Sequence, residues 1–283
     1  MDDRLTLMAV HAHPDDEVLG TGGILARYAD EGIRTVLVTC TNGEQGDGPG
    51  GVKPGEPGHD EAAVSALRLE ELRESATHLG ISHVELLGYR DSGMVGWAAN
   101  EAPESFANVP FEQAVGRLVA LMERYRPQVV VTYDENGGYG HPDHIQAHRV
   151  ALAAAEASGI PRKLYYTAVP RERIAELFEY LRSTGAAPED FELPDDFGVP
   201  EEQITTVVDV SSQVERKRKA LEAHASQGEN IFFLRMPTEA QHRAFAHETF
   251  IRHVNHVPAA ADREDDLFDG LRQGEALDGD VLS

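Results

Sequence analysis

With a single cysteine, Cys40, the chain cannot close an internal disulfide, and a reducing compartment is the expectation. Cys40 lies inside the apolar run Thr35-Val36-Leu37-Val38-Thr39-Cys40, where a buried, inert thiol is expected instead of a nucleophile. Basic residues are also scarce, since 25 Lys and Arg stand against 49 Asp and Glu and leave a net charge of −24. Such a surface repels phosphate backbones and acidic lipid, so neither nucleic acid nor a membrane is expected as a partner. No apolar run approaches the roughly 20 residues needed to span a bilayer, and Met1-Asp2-Asp3-Arg4 lacks the pattern of a secretory signal. A cytoplasmic location is the resulting expectation. No internal repeat is visible.

What is present is a strand-helix alternation long enough for a sizeable core. Apolar runs at residues 5–10, 34–40, 84–87 and 129–133 read as strands, and helical spacing covers 17–31, 61–79, 111–126 and 145–158. Gly80 and Pro127 close two of these helices. Further strands are expected at 163–169 and 204–210, with helices at 171–182, 214–225 and 238–251. The pattern predicts an α/β fold, a Rossmann-like and mostly parallel sheet with helices on both faces. One domain is expected over residues 1–261, its C-terminal part from about 170 less sharply patterned. Residues 45–60, rich in Gly, Pro and charge, read as a mobile loop, with a lid and plain disorder both open. Residues 262–283 read as a frayed, solvated acidic tail.

The chemistry concentrates in two polar stretches. The first strand runs into His11-Ala12-His13-Pro14-Asp15-Asp16-Glu17, and the fourth is followed by Asp134-Glu135-Asn136-Gly137-Gly138-Tyr139-Gly140-His141-Pro142-Asp143-His144. With right-handed crossovers in the common doubly wound order, those two strands are neighbours and both clusters open into one crevice at their C-terminal ends. Imidazole and carboxylate ligands that leave one position open for water fit a catalytic zinc, here His13, Asp16 and His144. Asp15 is then left to take a proton from that water. Tyr139 and His141 could stabilise charge on a carbonyl oxygen, with Asp143 holding His141 in its charged form. A dinucleotide site is disfavoured, because Gly20-Thr21-Gly22-Gly23 is not GxGxxG and Asp15 and Asp16 would repel a pyrophosphate. His11 is expected to pack, Asp134 and Glu135 to serve the turn, His224 to cap a helix C-terminus, and His247, His253 and His256 to lie on the surface.

At these residues the chain resembles a known family. The HxHPDDE run near the N-terminus with HPDH after a mid-chain strand is similar to the zinc-dependent LmbE/PIG-L-like N-deacetylases of N-acetylglucosamine conjugates. Residues 137–144 and Arg90-Asp91-Ser92-Gly93-Met94 resemble its mycothiol branch, the N-acetylglucosaminyl-inositol deacetylases and mycothiol S-conjugate amidases. The resemblance spans about residues 5–170 and weakens after Val169, apart from Ala223-His224-Ala225-Ser226-Gln227. It implies one Zn2+ per chain on His13, Asp16 and His144, with Fe2+ suited to the same donors. It also implies Asp15 as base, Tyr139 and His141 at the carbonyl and leaving amine, Asp143 tuning His141, and Arg68 and Asp91 at sugar or inositol hydroxyls. Where the conjugate amidase has a lysine shortly after its HPDDE motif, this chain has Val18-Leu19-Gly20. That departure argues against amidase specificity.

The implied function is metal-dependent removal of the N-acetyl group from an N-acetylglucosamine conjugate, a small molecule, by an enzyme for which a homo-oligomer is compatible. Three alternatives stand beside it. An amidase would cleave an acyl group larger than acetyl. A two-metal phosphoesterase would use Asp15, Asp16, Asp134 and Asp143, although few basic residues near the motifs could hold a phosphate. A non-catalytic sugar-binding module would have no need of Asp15.

Overall fold

The structure, a computed structural model, describes residues 4–185, 198–257 and 263–272, with backbone alone at 229–232. In chain order the elements are β1 (Thr6–His11), α1 (Asp16–Asp30), β2 (Arg34–Thr41), α2 (Glu61–Leu79), β3 (His83–Tyr89), α3 (Phe111–Tyr125) and β4 (Val129–Thr132). There follow a single turn α4 (Gly137–Gly140), α5 (Pro142–Ser158), β5 (Lys163–Thr167), α6 (Arg171–Ser183), β6 (Thr206–Asp209), α7 (Val214–Ala223), α8 (Gly228–Arg235), α9 (Thr238–Phe245) and β7 (His247–Asn255). The strands form one sheet in the order β3-β2-β1-β4-β5-β7-β6. β1 to β5 are parallel, and β7 enters antiparallel between β5 and β6. The α/β expectation holds, including the pairing of β1 with β4, which places their C-terminal ends side by side.

The central strands are buried on both faces, which is why β1 and β4 read as unbroken apolar runs. Met8 and Val10 of β1 pack with Leu118 of α3 and Val150 of α5, whereas Leu7 and Ala9 meet Ile24 and Leu25 of α1 and Leu72 of α2. The glycines of α1 serve packing: a Cβ on Gly23 would stand 2.5 Å from Cγ2 of Val210, so only glycine lets the helix approach so closely. At the same point the Glu248 carboxylate of β7 accepts from the N–H groups of Gly23 and Ile24 at 2.7 and 2.8 Å. Lys217 of α7 donates to Leu19 O at 3.1 Å and to Glu248 at 2.6 Å. Gly23 N–H and Leu19 O are the two groups that a regular helix pairs with each other.

Two expectations are corrected. The helix expected over 238–251 stops at Phe245, and His247–Asn255 is a strand whose backbone completes the gap between β5 and β6. The acidic tail is not solvated at its start: Leu267 and Phe268 are fully buried against α1. Glu264 lies beneath them, accepting from Lys163 Nζ at 2.7 Å and Tyr165 OH at 2.7 Å, with Arg252 Nη1 at 2.7 Å. The remaining tail residues, 273–283, lie outside the described residues. Because Lys163 and Glu264 are both fully buried, Glu264→Ala leaves a buried ammonium without its counter-charge. A loss of about 3–5 kcal/mol in unfolding free energy is expected, read as a lower urea midpoint at unchanged slope.

Candidate metal centre and catalytic site

The first polar turn starts where β1 leaves the sheet. Pro14 breaks the strand, and Asp15 precedes α1 at φ 115° and ψ −28°, a left-handed conformation that costs a non-glycine residue about 1–3 kcal/mol. The turn is held from two sides. Asp15 N–H donates to Glu17 Oε2 at 2.9 Å, and Arg68 Nη2 of α2 donates to Pro14 O at 2.6 Å while standing 3.2 Å from Asp15 Oδ2. Asp16, the first residue of α1, folds back to accept from His13 N–H at 2.7 Å.

The second turn follows β4. Tyr133, the next residue, reaches across to β1, where its hydroxyl accepts from Ala12 N–H at 2.9 Å and donates to Asp16 Oδ2 at 2.8 Å. Gly137 takes φ 63° against His144, and a Cβ there would lie 2.6 Å from the His144 Cβ. The carbonyl of Gly137 accepts from His144 Nδ1 at 3.1 Å. His141 caps α5 by accepting Asp143 N–H on its Nδ1 at 3.1 Å, and Tyr139 stands half exposed above, its ring 5.0 Å from that of His144.

Donor atoms of three residues converge between the turns. His13 Nδ1 lies 3.3 Å from Asp16 Oδ2 and 3.3 Å from His144 Nε2, and His144 Nε2 lies 3.4 Å from Asp16 Oδ1. Zinc with bonds of about 2.0–2.1 Å in tetrahedral geometry sets its ligands roughly 3.3 Å apart, the spacing that separates the two imidazole nitrogens from each other and each of them from one oxygen of Asp16; His141 also stands within ligand distance of both histidines. The tautomers point the same way. His144 Nδ1 faces a carbonyl and must carry hydrogen, and His13 Nε2 donates to Asp143 Oδ2 at 3.2 Å. Two imidazole lone pairs and a carboxylate therefore face one point, which only a proton or a cation can occupy favourably. Burial lowers the proton affinity of His13, but Asp91, Asp143 and Asp16 outweigh it and raise its pKa well above the ordinary value. Proton and cation thus compete for Nδ1, and apparent zinc affinity is expected to go on climbing with pH past the ordinary histidine value of 6.5, measured by chelator competition. A plateau beginning below pH 6.5 would contradict this.

All of the expected site residues come together, with some roles changed. Asp143 does not touch the His141 ring with its carboxylate. It sits in the first turn of α5 facing His13, and it accepts from Ser92 N–H at 2.8 Å and from Ser92 Oγ. Asp143 therefore orients the His13 ring. His141 is not held charged: burial, with His13 and His144 beside it, pushes it down to about 3, so the neutral ring offers Nε2–H. The Asp15 carboxyl is pushed up to about 6 by burial, only partly countered by Arg68. Asp16 stays well below the carboxylate range, since His144 and His13 outweigh its burial.

Arg68 and Asp91 are buried braces of the same site. Arg68 Nη1 donates to Gly43 O at 2.9 Å, and its buried Nε has no hydrogen-bond partner. Asp91 accepts from Gly93 N–H at 2.8 Å and Gln45 N–H at 3.2 Å, with Oδ1 3.6 Å from His13 Nε2. The loop expected over 45–60 is thereby tethered at its start. Asp134 serves its turn through Asn136 and Gly138 N–H, as expected, and His11 packs against Thr21 and Tyr133. Sequence reading missed Tyr133 and Ser92, whose roles depend on which strands are adjacent. His224 does stand at a helix C-terminus, as the C-cap residue of α7, but sequence reading missed that its fully buried ring donates to Glu17 Oε1 at 2.7 Å.

Comparisons with known proteins bear on the family of the chain. The family model described as GlcNAc-PI de-N-acetylase (PIG-L) matches residues 8–155. A 1D-myo-inositol 2-acetamido-2-deoxy-alpha-D-glucopyranoside deacetylase of Acidothermus cellulolyticus is 42% identical over 98% of both chains. Among solved structures, N,N'-diacetylchitobiose deacetylase from Pyrococcus horikoshii is similar with a TM-score of 0.57 and 21% identity, covering 87% of this chain and 83% of that one. A 4-carboxy-2-hydroxymuconate hydratase from Pseudomonas putida gives a TM-score of 0.60 at 20% identity, covering 91% and 99%. Such structural likeness speaks for the fold alone, since a hydratase shares it; the sequence match over the motif-bearing residues decides more. The chain belongs to the GlcNAc-PI de-N-acetylase (PIG-L) family.

Proposed function

We propose that this protein removes the N-acetyl group of an N-acetylglucosamine conjugate, with inositol as the attached group and zinc as the resident ion. The observation that carries the reading is the convergence of His13 Nδ1, Asp16 and His144 Nε2 on one point, with Asp15 on the adjoining residue. The inositol assignment rests on the 42% identical relative, matched end to end. Its aminosugar is supported further by Val18-Leu19-Gly20 after the first motif, where the conjugate amidase has a lysine.

A divalent cation on those three residues supplies Lewis acidity, polarising the acetamide oxygen and making water at the site more acidic. Asp15, poised near neutrality, accepts a proton from the attacking water and can pass it to the departing amine. The neutral His141 ring offers Nε2–H, and the Tyr139 hydroxyl a second donor, to the oxygen on which negative charge develops. Asp143 and Tyr133 hold His13 and Asp16 in register, so the donors keep their geometry through the reaction. Among the described residues no helix is long and apolar enough to cross a membrane, which suits a soluble conjugate in the cytoplasm.

The test is acetate release by zinc-loaded protein from the inositol conjugate and other N-acetylglucosamine conjugates, beside free-amine release from a bulky thioether-bearing amide. Turnover of the inositol conjugate at least tenfold above the rest supports the reading. Cleavage of the bulky amide alone favours the amidase, and no acetate from any conjugate removes the deacetylase.

A further inference from the structure

The residues Ala223-His224-Ala225-Ser226-Gln227 stand out in the sequence, yet the mechanism above uses none of them. They begin at the last residue of α7, with His224 as its C-cap, and pass behind the Asp15 turn. His224 Nε2 donates to Glu17 Oε1 at 2.7 Å, and Ser75 Oγ of α2 donates to the same oxygen at 2.5 Å. The other oxygen, Oε2, accepts the Asp15 N–H at 2.9 Å. Glu17 and His224 are both fully buried, so each of these bonds is shielded from water and costly to break.

We propose that Glu17 and His224 are a positioning pair for the base, gripping the backbone N–H of Asp15 and so holding its carboxylate where the attacking water lies. The inference rests on the deacetylase reading for its kinetic consequence. The physical case is the conformation of Asp15. A residue at φ 115° relaxes toward ordinary backbone unless something holds it, and the bond to Glu17 is made by that same peptide. Glu17 in turn is fixed by His224 from α7 and Ser75 from α2, two elements that carry no proposed ligand or base. The segment is anchored on its far side too. Ser226 donates from N and Oγ to Glu71, and Gln227 Oε1 accepts Asp47 N–H at 3.1 Å. The arrangement is a rigid strut running from the C-terminal half of the chain to one peptide bond of the active site.

A pin of purely structural value would stabilise the fold and leave the chemistry of folded molecules untouched. A positioning pair changes turnover without changing affinity. Glu17→Gln keeps size and shape but sets an amide N–H or a rotated oxygen against the Asp15 N–H. His224→Ala removes the strut, while His224→Gln keeps a donor near the place of Nε2. For Glu17→Gln and His224→Ala, kcat per metal-loaded, folded chain is expected to fall about tenfold or more, with KM within about twofold and zinc near one per chain. His224→Gln is expected to restore most of that loss. The backbone amide of Asp15, followed by 15N–1H spectroscopy, should shift in Glu17→Gln and His224→Ala and return toward its original position in His224→Gln. Variants that unfold at lower temperature but retain full kcat per bound zinc, or an Asp15 amide that stays in place, overturn the inference. Absence of wild-type turnover would instead sink the deacetylase reading, and the amide shift would still decide the positioning claim.

Discussion

Asp15→Asn is expected to lower kcat by about a hundred- to ten-thousandfold, the span that a positioned general base contributes. Metal analysis should find the ion still near one per chain. The two readouts separate because Asp15 Oδ2 faces Arg68, while the metal-facing triangle consists of His13, Asp16 and His144. Asparagine preserves the shape of the turn, and asparagine tolerates the left-handed region as well as aspartate does, so the loss reports the missing proton acceptor. The pH profile adds a signed check. Burial raises the Asp15 carboxyl to about 6, and the ionised form is the working one, so kcat/KM falls as pH drops below that point. A bound cation favours the carboxylate, which places the limb no higher than about pH 6. The residual activity of the variant should lack it. Wild-type turnover in Asp15→Asn would remove Asp15 as the base.

His144→Ala is expected to lose the metal and, with it, activity down to background. Chelation of the wild type should do the same, with Zn2+ or Fe2+ restoring turnover to the wild type and not to the variant. His144 Nε2 stands 3.3 Å from His13 Nδ1 and 3.4 Å from Asp16 Oδ1, and two remaining ligand residues are too few for a catalytic zinc. Tyr133→Phe makes a graded companion. It removes only the hydroxyl that donates to Asp16 and accepts from Ala12, and should cost about 10- to 100-fold in metal affinity. Full activity of His144→Ala in the presence of chelator would exclude the proposed centre.

Much of this was legible from residue order alone because the central strands are buried on both faces. Val129-Val130-Val131-Thr132 and Leu7-Met8-Ala9-Val10 have no polar interruption, so β1 and β4 could be found and their neighbourhood inferred from crossover handedness. Helix α2 was legible from its apolar spacing and from Gly80, which closes the last turn in a left-handed conformation; the Asp60 cap on Ala62 and Ala63 came only with the structure. β7 was not. Its burial is uneven, its apolar residues continue the spacing of α9, and only the antiparallel slot between β5 and β6 makes it a strand. Glu264, Leu267 and Phe268 were hidden for a related reason, since a short acidic segment gives no periodicity and its order comes from Lys163, Tyr165 and Arg252. In the site, ligand types followed from the motifs, but the partner of Asp143 did not. His141 is its neighbour in sequence, whereas the geometry of the first helical turn aims the carboxylate at His13 and at Ser92, 51 residues away.

The clasp that Glu248 and Lys217 place on the backbone of α1 at Gly23 has a bearing on how the molecule comes apart. The chemistry-bearing motifs end by residue 144, yet the helix that starts with Asp16 is fastened by side chains from positions 217 and 248. Excising the first 170 residues would leave the glycine-rich middle of that helix facing water, without the charge pair that completes its peptide bonding. The first half is accordingly not expected to fold on its own, and melting should proceed as one cooperative event in which the Asp15 turn and the last strand of the sheet are lost together.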